Sequence, residues 1–588
     1  MYRFGTQYSL IMLSYFIVIP AAAYLYMPVF YRLEVTSAYE YLELRFSKTC
    51  RTIATLIFFV QMIIYMAIVL YAPSLALSQV TGIKVWTSVL SIGIVCTFYT
   101  SVGGIKAVIW TDVFQIGIMY ASIIAIVLKG ASDLGGMDSV LKVAAQHDRL
   151  TFFNFNPDPT DRHTVWGLII GCNFTWLAVY GVSQAMVQRY LTLPTEDKAR
   201  RAIWINLPGL IFLLFICSLA GLVIFAKYYT CDPLQAKRIV ATDQLLPLFV
   251  MDTLGQFSGF PGLFVSGIFS GALSTVSSGV NSLATVTLED IIKSYSKCNM
   301  SDKTATWLTK GLAVFFGILA VLLVFVAEQL GNVLQAALAI FGILGGPLLG
   351  VFTLGIFMPH ANKYGAVSGL LVSLLITLWI GIGNFIYKPL VQTAAISVDG
   401  CPAWVNATLP SVSTRSADDV MWLYRISYVW YSMIATVLVI IIGYPVSLCT
   451  GCMNPQKMDP RLISPLYNWF IGTFVPSKRL QEKLIVGSNY KGGDIVKVSL
   501  ADKTPAPISL DRSAGSVNAA FDHRLEHANS YIGGGGGGGV DVGRKRRLSS
   551  LNEGGLTFYG SQHSPADDDN NNRSDNNVHP RHPVTSRM

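Results

Sequence analysis

Apolar runs of membrane-spanning length, separated by short polar breaks, recur from the N-terminus to about Thr450. A helix needs about twenty apolar residues to cross the hydrocarbon of a bilayer. Hydropathy and breakers together predict about eleven spans, roughly 8–30, 53–77, 84–102, 110–129, 164–186, 204–226, 259–285, 306–328, 332–357, 364–386 and 425–449. The expected fold class is therefore an all-α polytopic membrane protein, with a transmembrane domain over roughly residues 1–450 and a mostly disordered cytoplasmic tail over roughly 451–588. An odd number of spans puts the termini on opposite sides.

Polar positions set the orientation. Arg32, Arg45, Lys48, Arg51, Arg189, Lys198, Arg200, Arg201, Lys293, Lys297 and Lys303 flank membrane ends in three loops, the pattern of the inner side. The sequon Asn406-Ala407-Thr408 falls in an opposite loop and suits glycosylation outside. The expectation is a plasma-membrane protein with its N-terminus outside and its C-terminus inside. From about residue 490 the chain is rich in Gly, Ser, Asn, Asp and His, too polar to bury a core. Within it Ser549 follows Arg544-Lys545-Arg546-Arg547-Leu548, either a basophilic kinase site or a solvated basic cluster.

Composition excludes a string of soluble domains: 52% of residues are hydrophobic and 13% charged, the latter about half the usual soluble share. The net charge of +9 is spread over loops and tail, with no basic stripe to bind nucleic acid. Cys231 and Cys401 fall in polar loops assigned to the outside, where a pair is permitted and connectivity stays open. Cys449 and Cys452 lie at the last membrane exit, where palmitoylation is chemically open. No phosphate-cradling loop, zinc spacing or His-Glu-x-x-His helix points to an enzyme or a cofactor.

Candidate chemistry gathers in the span Ser258–Asp290, where Ser266, Ser270, Ser274, Thr275, Ser277 and Ser278 alternate with Gly267, Gly271 and Gly279. Small and hydroxylated residues serve helix packing, but this density of oxygens also suits a hard monovalent cation at the membrane midplane. Span 332–357 carries Phe341-Gly342-Ile343-Leu344-Gly345-Gly346-Pro347, a run that loosens a helix, either as a packing kink or as the lining of a cavity. Trp176 and Tyr180 lie four apart on one helix face in mid-span, where their polar edges need a partner. Asp112 sits at an inner membrane edge, an interfacial carboxylate or a waypoint for a leaving cation.

The segments Gly103 to Gln115, Thr36 to Phe46, Gln188-Arg189-Tyr190 and Leu273-Ser274-Thr275-Val276-Ser277-Ser278 resemble the sodium/solute symporter family, most closely its multivitamin, monocarboxylate and iodide branches. The resemblance runs from Tyr2 to about residue 450. It implies a LeuT-like inverted-repeat core and symport of a small organic anion (a monocarboxylate, or a vitamin such as biotin, pantothenate or lipoate) with Na+ as coupling ion. An iodide carrier and a non-transporting fragment are the alternatives. By the same resemblance Gly271, Ser274 and Thr275 hold sodium, Ser278 serves a second ion, and Met12, Tyr15, Trp176, Tyr180, Leu334 and Leu338 line the anion pocket. Relatives carry two further spans ahead of Tyr2-Arg3-Phe4-Gly5, the second being the first core helix. The sequence thus predicts a core lacking that helix and one wall of its ion site.

Overall fold

The computed structural model describes residues 1–296, 300–329, 331–389, 391, 393–402, 420–474 and 484–488. Asn406 and Ser549, and the tail beyond residue 488, lie outside the described residues. Among the described residues every regular element is helical. The membrane helices are α1 (Thr6–Leu33), α2 (Lys48–Thr81), α3 (Val85–Asp133), α4 (Gly167–Val182), α5 (Gln184–Leu191), α6 (Glu196–Tyr228), α7 (Phe260–Lys293), α8 (Asp302–Gln329), α9 (Val333–Phe357), α10 (Lys363–Tyr387) and α11 (Tyr428–Cys449).

Among the described residues nine helices are long and apolar enough to cross a membrane, or ten if the bent pair α4–α5 is one span. The difference from eleven lies in α3, a single helical run of 49 residues that joins the shorter apolar segment Val85–Ser101 to Trp110–Asp133. Tyr99 donates to the Leu273 carbonyl at 2.9 Å, and a Cβ on Gly271 would meet the Met119 sulfur at 3.6 Å. The two apolar segments of α3 therefore flank the same turn of α7, as two separate spans would.

The loosened run in α9 is a π-helical turn over Phe341–Gly345, ahead of the helix Gly346–Phe357. A second interruption comes at Ser183, whose backbone is extended (ψ 135°) and which bends α5 away from α4 by 43°. Backbone groups freed at membrane depth need partners, and side chains supply them. The Tyr190 hydroxyl donates to the Tyr180 carbonyl at 2.9 Å. Buried Gln184 accepts from the Ala38 amide at 2.6 Å and donates to the Thr36 carbonyl at 3.1 Å.

Small residues fix how closely the helices approach. A Cβ on Gly365 of α10 would fall 2.1 Å from the Gly443 carbonyl oxygen of α11, so any larger residue there must push the pair apart. On the opposite end from the basic loops, Cys231 is disulfide-bonded to Cys401, and the Asp232 amide donates to the Ser397 carbonyl at 3.0 Å.

The same end buries His163, whose Nε2 lies 2.9 Å from the Tyr428 hydroxyl. Burial first, then the Arg162 guanidinium, hold His163 down from 6.5 to about 3. The folded chain thus refuses a proton that the unfolded chain accepts below about 6.5, so this contribution to stability is complete above that pH and is lost as pH falls towards 3. The melting temperature should fall across that interval, and His163→Gln should flatten the slope.

Candidate functional site

Five helices enclose a cavity of about 330 Å³. α7 contributes Ser274, Thr275, Ser278 and Gly279; α4 and α5 contribute Thr175, Trp176, Val179, Tyr180, Met186 and Arg189, with Ser183 between them; α2 contributes Met62 and Tyr65; α9 contributes Leu334, Ala337, Leu338 and Phe341. The interruption at Ser183 and the π turn at Phe341 both border this space. Irregular backbone is thus spent where a protein cavity can accommodate it.

The polar wall is α7. The Thr275 hydroxyl donates to the Gly271 carbonyl at 3.0 Å. That bond uses the hydroxyl proton and leaves Thr275 Oγ1 its lone pairs, while the Gly271 carbonyl, which also accepts the amide of its own helix, becomes available to a cation when the hydroxyl turns away. Two neutral oxygens on adjacent turns, with the Ser274 hydroxyl between them, form a donor set suited to sodium rather than to a transition metal. Gly271 stands one turn back from the lining residues, and Ala337, across the cavity, brings no hydroxyl.

Ser278 is engaged otherwise. Arg189 Nη2 donates to the Ser278 hydroxyl at 2.6 Å and to Asp112 Oδ2 at 2.7 Å. Asp112 is buried, and its Oδ1 has no hydrogen-bond partner among the described residues. The Arg189–Asp112–Ser278 contact lies on the Lys293 side of Thr275 along α7, between the cavity and the basic loops.

The aromatic wall is built from two ring pairs. Trp176 and Tyr180 lie with ring centres 6.2 Å apart, and Tyr65 meets Phe341 edge-on at 4.7 Å. The Trp176 Nε1–H is buried without a hydrogen-bond partner among the described residues. Tyr15 is not in the lining: it packs edge-on behind Trp176 at 5.3 Å. Met12 is not in the lining either. Both expected pocket residues sit on α1, and Tyr15 supports the wall from behind rather than forming it.

Sequence reasoning missed Arg189, Tyr65, Met62 and Ser183 as lining residues. Arg189 was legible as an inner-side cation and as part of the Gln188-Arg189-Tyr190 run that carries the resemblance, not as a cavity residue. Tyr65 lies in mid-span four residues from Gln61, the same spacing that singled out Trp176 and Tyr180.

Residues 1–373 match the model of the "Sodium:solute symporter family". The chain is 43% identical over 479 residues to "Sodium-coupled monocarboxylate transporter 1" of Homo sapiens, covering 79% of this chain and 78% of that protein. It is 44% identical over 475 residues to "Sodium-coupled monocarboxylate transporter 2" of Mus musculus, covering 80% and 76%. It is 45% identical over 475 residues to "Sodium-dependent multivitamin transporter" of Oryctolagus cuniculus, covering 79% and 74%. Among solved structures, a Na+-coupled sialic acid symporter in a substrate-bound outward-open state superposes with a TM-score of 0.61 at 26% identity, covering 76% of this chain and 85% of that one. The LeuT-like architecture expected from the sequence agrees with that match.

Proposed function

The chain belongs to the sodium:solute symporter family, and from that premise we propose that it carries a small organic anion, a monocarboxylate or a carboxylate vitamin such as biotin, pantothenate or lipoate, into the cell with sodium. The observation that carries the reading is one cavity lined both by the hydroxyls of Ser274 and Thr275 and by Trp176, whose Nε1–H has no hydrogen-bond partner among the described residues. A cation fits the first and a carboxylate fits the second, and each lowers the cost of bringing the other into a space of low dielectric. The apolar remainder of the lining, from Met62, Val179, Leu334 and Leu338, suits the hydrocarbon part of such an anion.

Sodium is held by the Gly271 carbonyl and the Ser274 and Thr275 hydroxyls. Ser278 and Asp112 form the next station inward, barred by Arg189 until the inner side opens. The Cys231–Cys401 bridge supports placing that end in the oxidising space outside the plasma membrane, with the C-terminus inside.

The test is uptake of labelled lactate, biotin, pantothenate and iodide in sodium or choline medium. Sodium-dependent uptake of a carboxylate is expected; accumulation of iodide alone overturns the organic-anion reading. Trp176→Ala should raise the KM for the carboxylate by about tenfold or more, the worth of one hydrogen bond to a charged group. Sodium half-saturation should move less.

A further inference from the structure

On the end that carries the disulfide, three arginines meet in one knot of chain. The Thr6 amide donates to the Arg149 carbonyl at 2.9 Å, and the Ala394 amide donates to the Arg3 carbonyl at 2.9 Å. Arg149 is fully buried, and its guanidinium donates only to the carbonyls of Tyr2, His147 and Ala395. The Arg162 guanidinium lies 4.1 Å above the Phe4 ring and 5.3 Å from the Tyr428 ring.

None of the three arginines is ion-paired with a carboxylate among the described residues; the ion pairs formed by arginine lie elsewhere, at Arg32, Arg51, Arg189, Arg200, Arg238 and Arg461. Among the described residues, the Nε atoms of Arg3 and Arg162 are buried without a hydrogen-bond partner, as is Nδ1 of the neighbouring His163. Asp161 accepts from Asn154 at 2.7 Å, and Asp232 accepts from the Leu234 and Gln235 amides at 2.9 and 3.0 Å.

A buried guanidinium without a counter-charge is costly, and its planar fork matches a carboxylate. Stacking on Phe4 and Tyr428 removes the rotamer freedom that a carboxylate would otherwise have to freeze. Tyr428 belongs to the same packed cluster as Leu338, with Trp176 against it, so packed side chains link Arg162 to the cavity lining.

We infer that Arg162 forms an outer carboxylate-binding station that collects the organic anion before it passes to Trp176. The inference rests on the anion reading above for its physiological ligand, but the binding itself does not require sodium, because none of its groups belongs to the α7 wall.

The experiment separates the two. In purified full-length protein in sodium-free choline buffer, lactate should raise the melting temperature and lactamide, its neutral counterpart, should not. The lactate shift should persist in Trp176→Ala and disappear in Arg162→Gln. Arg162→Lys, which keeps the charge and loses the fork, should retain a shift with half-saturation raised about tenfold. In cells Arg162→Gln should raise the lactate KM by about tenfold without moving sodium half-saturation. A lactate shift that survives in Arg162→Gln, that is lost in Trp176→Ala, or that is missing in the unmodified protein overturns the station. Should Arg162→Gln fail to fold, unaltered half-saturation in Arg162→Lys overturns it. Loss of sodium-dependent uptake of every carboxylate in the unmodified protein would instead defeat the transport reading and leave the sodium-free result to decide the station.

Discussion

Thr275→Ala abolishes sodium-dependent uptake while the amount of protein at the cell surface stays unchanged: that is the expected result with the largest effect on transport. The two halves of the expectation have separate physical grounds. The Thr275 hydroxyl bonds to the carbonyl one turn back in its own helix. Such a bond adds little to helix stability and its loss leaves Gly271 still paired within the helix, so folding should tolerate alanine. A sodium ion has no such tolerance. Stripped of water, it needs every oxygen of its shell, and loss of one charge-assisted contact weakens binding by on the order of a hundredfold. Because sodium and anion are coupled, the anion's apparent affinity should fall with it, as linkage requires. Thr275→Ser restores the oxygen and should restore uptake. The measurement is labelled-carboxylate uptake against external sodium, with surface biotinylation alongside. Full uptake by the alanine variant at low sodium would remove Thr275 from the ion site.

Much of this arrangement was legible in the sequence because its causes are local. Hydropathy marked the spans, and Gly342, Gly345, Gly346 and Pro347 marked the run that becomes a π turn in α9. Trp176, Tyr180, Leu334, Leu338, Ser274, Thr275 and Ser278 were each expected in a site, and one cavity gathers all seven. What stayed hidden depends on residues far apart in the chain. The break at Ser183 contains no proline and follows from Gln184, whose partners lie about 146 residues away at Ala38 and Thr36. Arg189 reads as a loop charge until α3 and α7 bring Asp112 and Ser278 to it. Tyr15 and Met12 were placed in the lining by resemblance alone, and no hydropathy pattern tells the front of a wall from its back.

The second large effect concerns stability. Asp290, near the inner end of α7, is fully buried and accepts four hydrogen bonds: from Arg51 Nε at 3.0 Å, from Arg51 Nη2, from Ser37 at 2.8 Å and from Thr55 at 3.0 Å. Arg51 turns its remaining Nη1 to Glu43 at 2.7 Å. This knot ties the short helix Glu40–Arg45 and the start of α2 to α7. Fifteen residues along the same helix stands Thr275, about 22 Å away at the ordinary helical rise. Asp290→Ala strips Arg51 of its main partner while leaving Arg51 nearly buried, which should cost about 3–5 kcal/mol. Set against a typical total of about 5–15 kcal/mol, that is enough to keep much of the protein from the cell surface. Arg51→Met should do comparable damage from the other side by leaving a buried carboxylate with two hydroxyls. The pair Asp290→Leu with Arg51→Met removes both charges at once, and an apolar pair of similar volume should recover most of the loss. Thermal unfolding of the purified full chain, with Asp290→Leu, Arg51→Met and the double variant, measures the coupling directly. Additive losses in the double variant would show that the two side chains stabilise the fold independently, and the inner end of α7 would then need another anchor.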